Sequence, residues 1–404
     1  MKTIYIYIIF SLVLLSCNNL SNIDKSKIIS VNLVEGFENK RQQLLSDIAT
    51  NIQTVYLNSN EECLIAKVSR VIIDNKKEII IILDKELNQI LFFDNSGNYL
   101  YKINKIGEGP NEYSRISNII YYPASGYIYV YDDLTYKILK YSYKGKYIDY
   151  FKIPTTITAT GVSKLGDKYL LLTMGQPFFQ ADKGYSFVVF DTIGNIISRF
   201  YYHDKDCCKI SDPSTQCFWD YFNNSVSFKE TSNRFLFKVK PDLTYSKYYE
   251  IICNRNPPDN EILNNFDKYL NWLLEKDSNH SGIDELYETS NYMFFWGVKS
   301  KYLWNVFYIK SDKNSYYPIF DLNLGQFGFI NDLNGGMPFW PNGRVSDNVL
   351  INVYNPQELK NIITSEYIDT IHIKFPEKYK ELLNHLDTCS LETNQFIDIV
   401  TLKH

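Results

Sequence analysis

The sequence predicts an all-β chain folded as one six-bladed β-propeller, and three observations carry that prediction. A unit of short strands recurs with a period near 48 residues, which is the spacing of a propeller blade. Aromatic residues make up 16% of the chain, 34 of them tyrosine, beside many β-branched residues, a composition that favours strands. Strand-like segments stand near both ends, as a ring closed by its two termini requires.

The clearest unit runs through Glu78–Asp84, Asn88–Asp94 and Gly97–Tyr101, and it returns as Gly126–Asp132, Tyr136–Tyr141 and Gly145–Asp149. Asp84 to Asp132, Ile90 to Ile138, Gly97 to Gly145 and Tyr99 to Tyr147 are each 48 apart. A third copy, Tyr185–Asp191 and Gly194–Ile197, follows 49 residues after Gly145. In each copy a strand ends in Asp or Tyr and a Gly turn reverses it, since Gly takes the positive φ of a tight hairpin at little cost. Arg234–Lys238 and Tyr245–Tyr249, around a Pro241-Asp242 turn, suit a fourth unit. Asn291–Val298, Tyr302–Ile309 and Tyr316–Phe320 suit a fifth, and Asn348–Tyr354 with Phe396–Leu402 a sixth. Ile52–Leu57 is a spare strand, assigned to the blade that holds Phe396–Leu402. Two helices interrupt the pattern. One is an insert over about 256–276, with Asn256 as N-cap and Pro257 at the first helical position. The other starts at Pro376.

The N-terminus carries a different signal. Lys2 precedes an apolar run from Ile4 to Leu15, too short to span a bilayer, which takes roughly 20 residues. The run ends at Leu14-Leu15-Ser16-Cys17, and a small residue before cysteine resembles the bacterial lipobox. Residues 1–16 therefore read as a lipoprotein signal peptide, Cys17 as the lipid-modified new N-terminus, residues 17–27 as a polar tether, and residues 28–404 as a single domain. Asn18 is not the Asp of inner-membrane retention, so the expected location is the outer membrane, facing the periplasm. Removing residues 1–16 leaves 41 basic against 46 acidic residues, a balance of −5, which argues against a nucleic-acid partner. A monomer is expected.

Ile106–Tyr113, reading Ile-Gly-Glu-Gly-Pro-Asn-Glu-Tyr, resembles the six-bladed β-propeller family of Gram-negative bacterial lipoproteins, whose pattern there is Gly-x-Gly-Pro-Gly-Glu-Tyr. Asn111 departs from it, and Asn tolerates the left-handed region that Gly would occupy. Leu45–Ile48 and Val55–Leu57 resemble that family's opening strands, Asn331–Gly336 and Phe339–Pro341 its late loop, and Leu391–Asn394 with Ile397–Leu402 its closing strand. The resemblance implies the fold over nearly the whole mature chain and no particular reaction.

Three groups of residues could form a site. Glu112, Tyr113 and Arg115 lie in a loop between blades and could face a ligand, or Glu112 could accept backbone N–H groups while Tyr113 packs between blades. Asn331, Asp332 and Trp340 combine amide, carboxylate and indole, which suits a sugar or a peptide, or they could staple their own loop. His203–Cys208 offers metal ligands on paper in a spacing that fits no zinc pattern. No metal or cofactor is expected. Propeller lyases of the streptogramin and peptidylglycine type, which this chain resembles in fold, use histidines around a channel metal. The five histidines here are scattered, with His372 placed in an alternating strand and His385 on the late helix. No Gly-x-Ser-x-Gly, phosphate loop or His-Glu-x-x-His occurs, and Arg115, Arg199, Arg234, Arg255 and Arg344 stand too far apart for sialidase-like chemistry.

The leading expectation is a non-catalytic propeller that binds a glycan, peptide or protein, and the alternative is a lyase or hydrolase at the channel mouth. Convergent His, Asp or Glu in the channel would mark the enzyme. Tyr, Ser, Asn and backbone would mark the binder. Of the six cysteines after Cys17, Cys207 or Cys208 is expected to bridge Cys217, and Cys63 and Cys253 are expected as buried thiols.

Overall fold

The structure is a computed structural model that describes residues 28–155, 159–174, 185–201, 219–229, 234–252, 285–299, 302–321, 326–363 and 371–404, and of the segment 253–284 only 261, 267, 268, 271 and 283. It is a six-bladed propeller. Blade 1 is Val68–Asp74, Ile79–Asp84, Gln89–Asp94 and Tyr99–Ile103. Blade 2 is Ile116–Tyr122, Tyr127–Asp132, Lys137–Ser142 and Tyr147–Lys152. Blade 3 is Ala159–Leu165, Tyr169–Met174, Tyr185–Asp191 and Ile196–Tyr201. Blade 4 is Trp219–Phe222, Ser225–Lys229, Phe235–Val239 and Tyr245–Ile252. Blade 5 is Glu285–Glu288, Tyr292–Lys299, Tyr302–Ile309 and Asn314–Asp321. Blade 6 takes Gly343–Ser346, Val349–Tyr354 and Phe396–Leu402 from the end of the chain and Ala49–Tyr56 from its beginning. In every blade the strands run antiparallel from the channel outward in the order given.

Blade order follows from alternation. In Ile79–Asp84 every residue is buried, because both faces of the blade are covered. Ile79, Ile81 and Leu83 enter a core shared with blade 2, while Ile80 and Ile82 enter one shared with blade 6. The four other pairings of neighbouring blades are cemented in the same way, so the blade 6–blade 1 core closes a ring. Each fully buried Phe, such as Phe92 or Phe237, contributes about 2–3 kcal/mol of transfer free energy.

The repeated Asp has a concrete role. Asp84 is fully buried, and its carboxylate accepts from the N–H groups of Ala66 (2.8 Å), Glu86 (3.0 Å) and Leu87 (3.1 Å). Asp132 repeats this with Ser114 (2.7 Å), Leu134 (3.0 Å) and Thr135 (3.2 Å). One side chain thus ties the turn after the second strand to the segment that leads into the blade. The Gly turns follow the same economy. Gly97 has φ +87°, and a Cβ there would sit 2.1 Å from the Tyr56 carbonyl oxygen of blade 6. Its own carbonyl accepts from Asn58 N–H at 2.8 Å, so glycine lets this hairpin dock on the closing strand.

Before closing the ring the chain wraps the rim. Ile29–Asn32 adds a parallel fifth strand to blade 4. Helix α1 (Leu33–Glu38) then packs Gly36 against Val306 and Ser315 of blade 5, and Lys40–Arg41 pairs in parallel with the outer strand of that blade. Leu45–Ile48, read from the sequence as part of an opening strand, is instead a single helical turn, α2. The Asp47 carboxylate accepts the Leu44 N–H at 3.2 Å, which favours a turn over extension. The spare strand is Ala49–Tyr56, paired with Phe396–Leu402 as expected. Helix α3 (Pro356–Ile363) precedes α4 (Pro376–Thr388), which starts at Pro376 and runs to Thr388. His372 is exposed and outside any strand, contrary to the alternation read there. The insert over 256–276 lies largely outside the described residues, as do Cys253, Cys207, Cys208 and Cys217. Cys63 is a buried free thiol.

Candidate functional site

The connections from one blade's outer strand to the next blade's inner strand all emerge on one face, here the upper face. The inner strands begin there, and in the first three blades each begins with a bulge. Pairing shifts between Val68 and Arg70, between Ile116 and Asn118, and between Ala159 and Gly161. The extra residues are Ser69, Ser117 and Thr160. A bulge re-aims the side chains next to it, and here those are Arg70 and Asn118, which are 48 residues apart. Arg70 Nη1 donates to Asn118 Oδ1 at 2.8 Å, and Asn118 Nδ2 donates to the Val162 carbonyl at 3.1 Å. This chain of bonds links blades 1, 2 and 3 across the channel wall.

Arg70 is reached by solvent yet enclosed by the ring, and that enclosure lowers its guanidinium pKa, with the Tyr287 phenol of blade 5 partly opposing the fall. Lys164 of blade 3 is lowered by burial, against Asp167 and with Arg70 adding to the fall. Its Nζ lies 4.3 Å from the Tyr221 ring centroid of blade 4. Lys85, in the blade 1 turn on the upper face, is lowered by burial and by Arg70, with Asp133 opposing and Arg115 adding. The channel lining described here is thus cationic, phenolic, amide and hydroxyl, and it includes the Glu285 carboxylate of blade 5, whose Oε2 accepts the Tyr287 hydroxyl at 3.1 Å.

Of the residues singled out from sequence, Arg115 alone reaches this group. It makes a two-bond pair with Asp133, Nε–Oδ1 2.8 Å and Nη2–Oδ2 2.7 Å. Glu112 Oε2 accepts the Gly109 N–H at 2.9 Å, closing its own loop. Tyr113 is fully buried between blades 1 and 2, where its hydroxyl accepts from Lys105 N–H at 3.1 Å and sits 3.1 Å from the Asn88 carbonyl. Burial pushes its phenol up to about 12. Asn111 does not use the left-handed region. The Tyr141 hydroxyl donates to its carbonyl at 2.8 Å and holds the turn instead.

Asn331 and Asp332 are buried. Asn331 Nδ2 donates to the Met337 carbonyl at 3.2 Å, and Asp332 Oδ1 accepts the Ser46 N–H at 2.9 Å. Trp340 is half-buried, with its ring centroid 5.5 Å from that of Phe294 and 6.3 Å from that of Phe329. These three lie in the connection from blade 5 to blade 6, packed on the core those blades share and on the Leu45–Ile48 turn, and are not brought to the channel residues. His203–Cys208 lies outside the described residues.

A second concavity of about 500 Å³ separates the closing strand from α4 and is lined by Tyr56, Asn60, His385, Cys389 and Glu392, among others. Tyr56 and His385 stack with centroids 3.6 Å apart. Burial pushes the Cys389 thiol up, which keeps it protonated and a poor nucleophile.

Sequence reasoning missed Arg70, Lys85 and Lys164. The one signal available was the hydroxyl–polar pair, Ser69-Arg70 and Ser117-Asn118, at the same position of two successive repeats.

A family profile described as a domain of unknown function, DUF4934, matches residues 28–401. The chain belongs to the DUF4934 family. No curated protein matches it. Among solved structures, the DUF4934 chain is similar to a protein of Bacteroides fragilis NCTC 9343 assigned as exported, with a TM-score of 0.68 at 18% identity over 93% of this chain and 100% of that one. It is also similar to a member of the DUF4221 family from Bacteroides vulgatus ATCC 8482, with TM-score 0.45 at 13% identity over 66% of this chain and 84% of that one. A Staphylococcus aureus virginiamycin B lyase matches with TM-score 0.41 at 11% identity, over 68% and 76% of the two chains. The likeness to the Bacteroides fragilis protein speaks for the fold of the DUF4934 chain alone. Among its described residues no helix is long and apolar enough to cross a membrane.

Proposed function

We propose that this protein is a lipid-anchored binding propeller of the bacterial cell envelope, which takes its ligand at the upper mouth of the channel. The observation that carries the binding role is the enclosed, solvent-reached Arg70, held by a single amide from Asn118. Beside it in the bulged strand starts stand Ser69 and, in blade 2, Ser117 and Asn118, which is bonded on to the Val162 carbonyl of blade 3. These side chains orient a ligand through hydrogen bonds and charge. The ligand is a glycan, a peptide or a segment of a partner protein.

Anchoring rests on Leu14–Cys17, and more than one acyl chain on Cys17 would make attachment stable. Placement in the outer membrane facing the periplasm rests on Asn18. Cys17→Ser is expected to abolish labelling with radioactive palmitate and to move the protein out of the membrane fraction. Undiminished labelling of that variant refutes the anchor. The binding role is tested by a glycan and peptide array probed with the lipid-free protein. At least one ligand class is expected to be retained, and retention is expected to fall when Asn118→Arg fills the channel mouth. Equal retention by the two proteins refutes the channel as the binding site.

A further inference from the structure

We infer that the cleft between the closing strand and the end of α4 is a saccharide site, in which the Tyr56–His385 ring stack receives the apolar face of a neutral sugar while Asn60, Glu61 and Glu392 bond its hydroxyls. The site is separate from the channel mouth and does not depend on the role proposed there. The cleft holds about 500 Å³, within the roughly 300–1,000 Å³ of small-molecule sites. Its walls come from opposite ends of the chain. One is the connection from blade 6 to blade 1, which follows Tyr56, and the other is the last turn of α4 with residues 389–393 after it. The Asn394 side chain, 2% exposed, ties the two together. Its Oδ1 accepts the Ile65 N–H at 2.9 Å, and its Nδ2 donates to the carbonyls of Asn58 at 2.6 Å and Cys63 at 2.9 Å. Lys360 Nζ and Gln357 Nε2 of α3 donate to the carbonyls of Cys389 and Ser390, each at 2.9 Å, and hold the second wall from behind. The cleft is therefore fixed in shape before a ligand arrives, which lowers the cost of binding.

The groups that the walls leave uncommitted match a sugar. Tyr56 and His385 stack 3.6 Å apart, and Phe396 meets Tyr56 edge-on at 4.8 Å, so one end of the cleft is aromatic. The hydroxyls of the lining are spent on the walls themselves. Ser59 Oγ accepts the Asn394 N–H at 2.8 Å, Thr388 Oγ1 donates to the His385 carbonyl at 2.8 Å, and Thr393 Oγ1 accepts the Ser390 N–H at 2.9 Å. Asn60 commits its Oδ1, which accepts the Glu62 N–H at 2.9 Å, and keeps its Nδ2 donor. Glu61 and Glu392 are exposed, and among the described residues neither joins an ion pair. A neutral pyranose offers hydroxyls around its edge and C–H groups on its faces. Amide and carboxylate groups suit the first, and ring faces suit the second. No Lys or Arg lines the cleft, which disfavours an acidic sugar. A cationic peptide would meet the same two carboxylates, but exposed ion pairs contribute only about 0–1 kcal/mol, and its flexible side chains offer no flat face to the stack.

Cys389 lines the cleft as a half-buried free thiol and reports on its occupancy. The test titrates the mature chain carrying Cys17→Ser with cellotriose, maltotriose and chitotriose in turn, with trilysine as the cationic probe. Calorimetry follows binding, and the mass of the Cys389 peptide follows its alkylation by N-ethylmaleimide at alkaline pH. At least one of the three sugars is expected to bind saturably and, at saturation, to slow that alkylation. His385→Ala is expected to weaken the sugar about tenfold, the scale of one lost ring contact, and His385→Phe, which keeps a ring, to retain it. Asn118→Arg, which fills the channel mouth and not the cleft, is expected to leave the titration unchanged. Failure of all three sugars to slow the alkylation overturns the inference, and protection by trilysine in their place assigns the cleft to a cationic peptide. Equal weakening by His385→Ala and His385→Phe removes the ring contact and overturns it as well. A sugar that binds, leaves the Cys389 rate unchanged and is lost in Asn118→Arg lies in the channel, which overturns the cleft site and leaves the channel role standing.

Discussion

Glu288→Gln is expected to lower the unfolding free energy of the propeller by about 3–5 kcal/mol at neutral pH, the cost of leaving buried cations without their partner. Glu288 ends the inner strand of blade 5 and is 1% exposed. Its carboxylate meets Lys238 of blade 4 and Lys310 of blade 5 and accepts the Tyr249 hydroxyl of blade 4 at 2.9 Å. Arg344 of blade 6 donates to its backbone carbonyl. The Phe222 ring lies 5.2 Å from each lysine Nζ and 5.5 Å from the Arg344 guanidinium. Burial alone would raise the Glu288 pKa, but Lys310 and then Lys238 outweigh it and hold the group ionised. One carboxylate therefore balances cations from two blades, while the backbone carbonyl of the same residue holds an arginine from a third. Guanidinium unfolding followed by tryptophan fluorescence measures the loss. Adding Lys310→Met to Glu288→Gln is expected to recover part of it, because the second change removes the stranded charge. An unchanged midpoint for the single variant refutes the account.

Asp398→Asn is expected to remove most of the pH dependence of stability between about pH 4 and pH 7. Asp398 sits on the closing strand, where Oδ1 accepts the Thr54 hydroxyl at 2.6 Å and the Tyr354 hydroxyl at 3.2 Å. Oδ2 is buried with no partner. Burial pushes the group up to about 7, against the lowering effect of those two hydrogen bonds. The unfolded value is near 3.9, so the folded state holds this proton more tightly than the unfolded state does. The stabilisation is complete below about pH 4 and is lost as pH rises toward 7, by up to about 4 kcal/mol. Asn keeps the acceptor for Thr54 and Tyr354 and carries no charge at any pH. Thermal melts across pH 4 to 8 are expected to slope downward for the parent and to run nearly flat for the variant, with the variant the more stable at pH 8. Parallel curves would refute the titration of Asp398.

These two groups were invisible in the sequence for the same reason that much of the frame was visible. The frame repeats. Asp84 and Asp132, or Gly97, Gly145 and Gly194, solve one geometric problem each time a blade is built, so their spacing betrays them. Glu288 and Asp398 solve problems that occur once, at a junction of three blades and at the closing seam. The rim strands Ile29–Asn32 and Lys40–Arg41 are too short to show a period and borrow their partners from finished blades. Arg70 fell between these cases. Its position recurs, but the side chain differs from Asn118, and only the bulge shows that the two are equivalent. Glu112 and Tyr113 stood out because a tight turn and an interblade anchor demand particular residues. Conspicuous spacing thus marked the scaffold, while the accessible charges sat at positions that the repeat leaves free.

The closing seam also sets the order of folding. Thr54 and Asp398, bonded to each other, are 344 residues apart along the chain. Bringing such distant segments together is entropically costly and is typical of slow, late steps. Blades 1, 2 and 3 have no such demand, since each is made of neighbouring hairpins and can assemble as it is synthesised. The strand Ala49–Tyr56 is made among the first and must wait, unpaired, for Phe396–Leu402. Until then the forming ring exposes a bare strand edge on either side of the gap. The last pairing is therefore the commitment step, after which no blade can be lost without opening the whole circle.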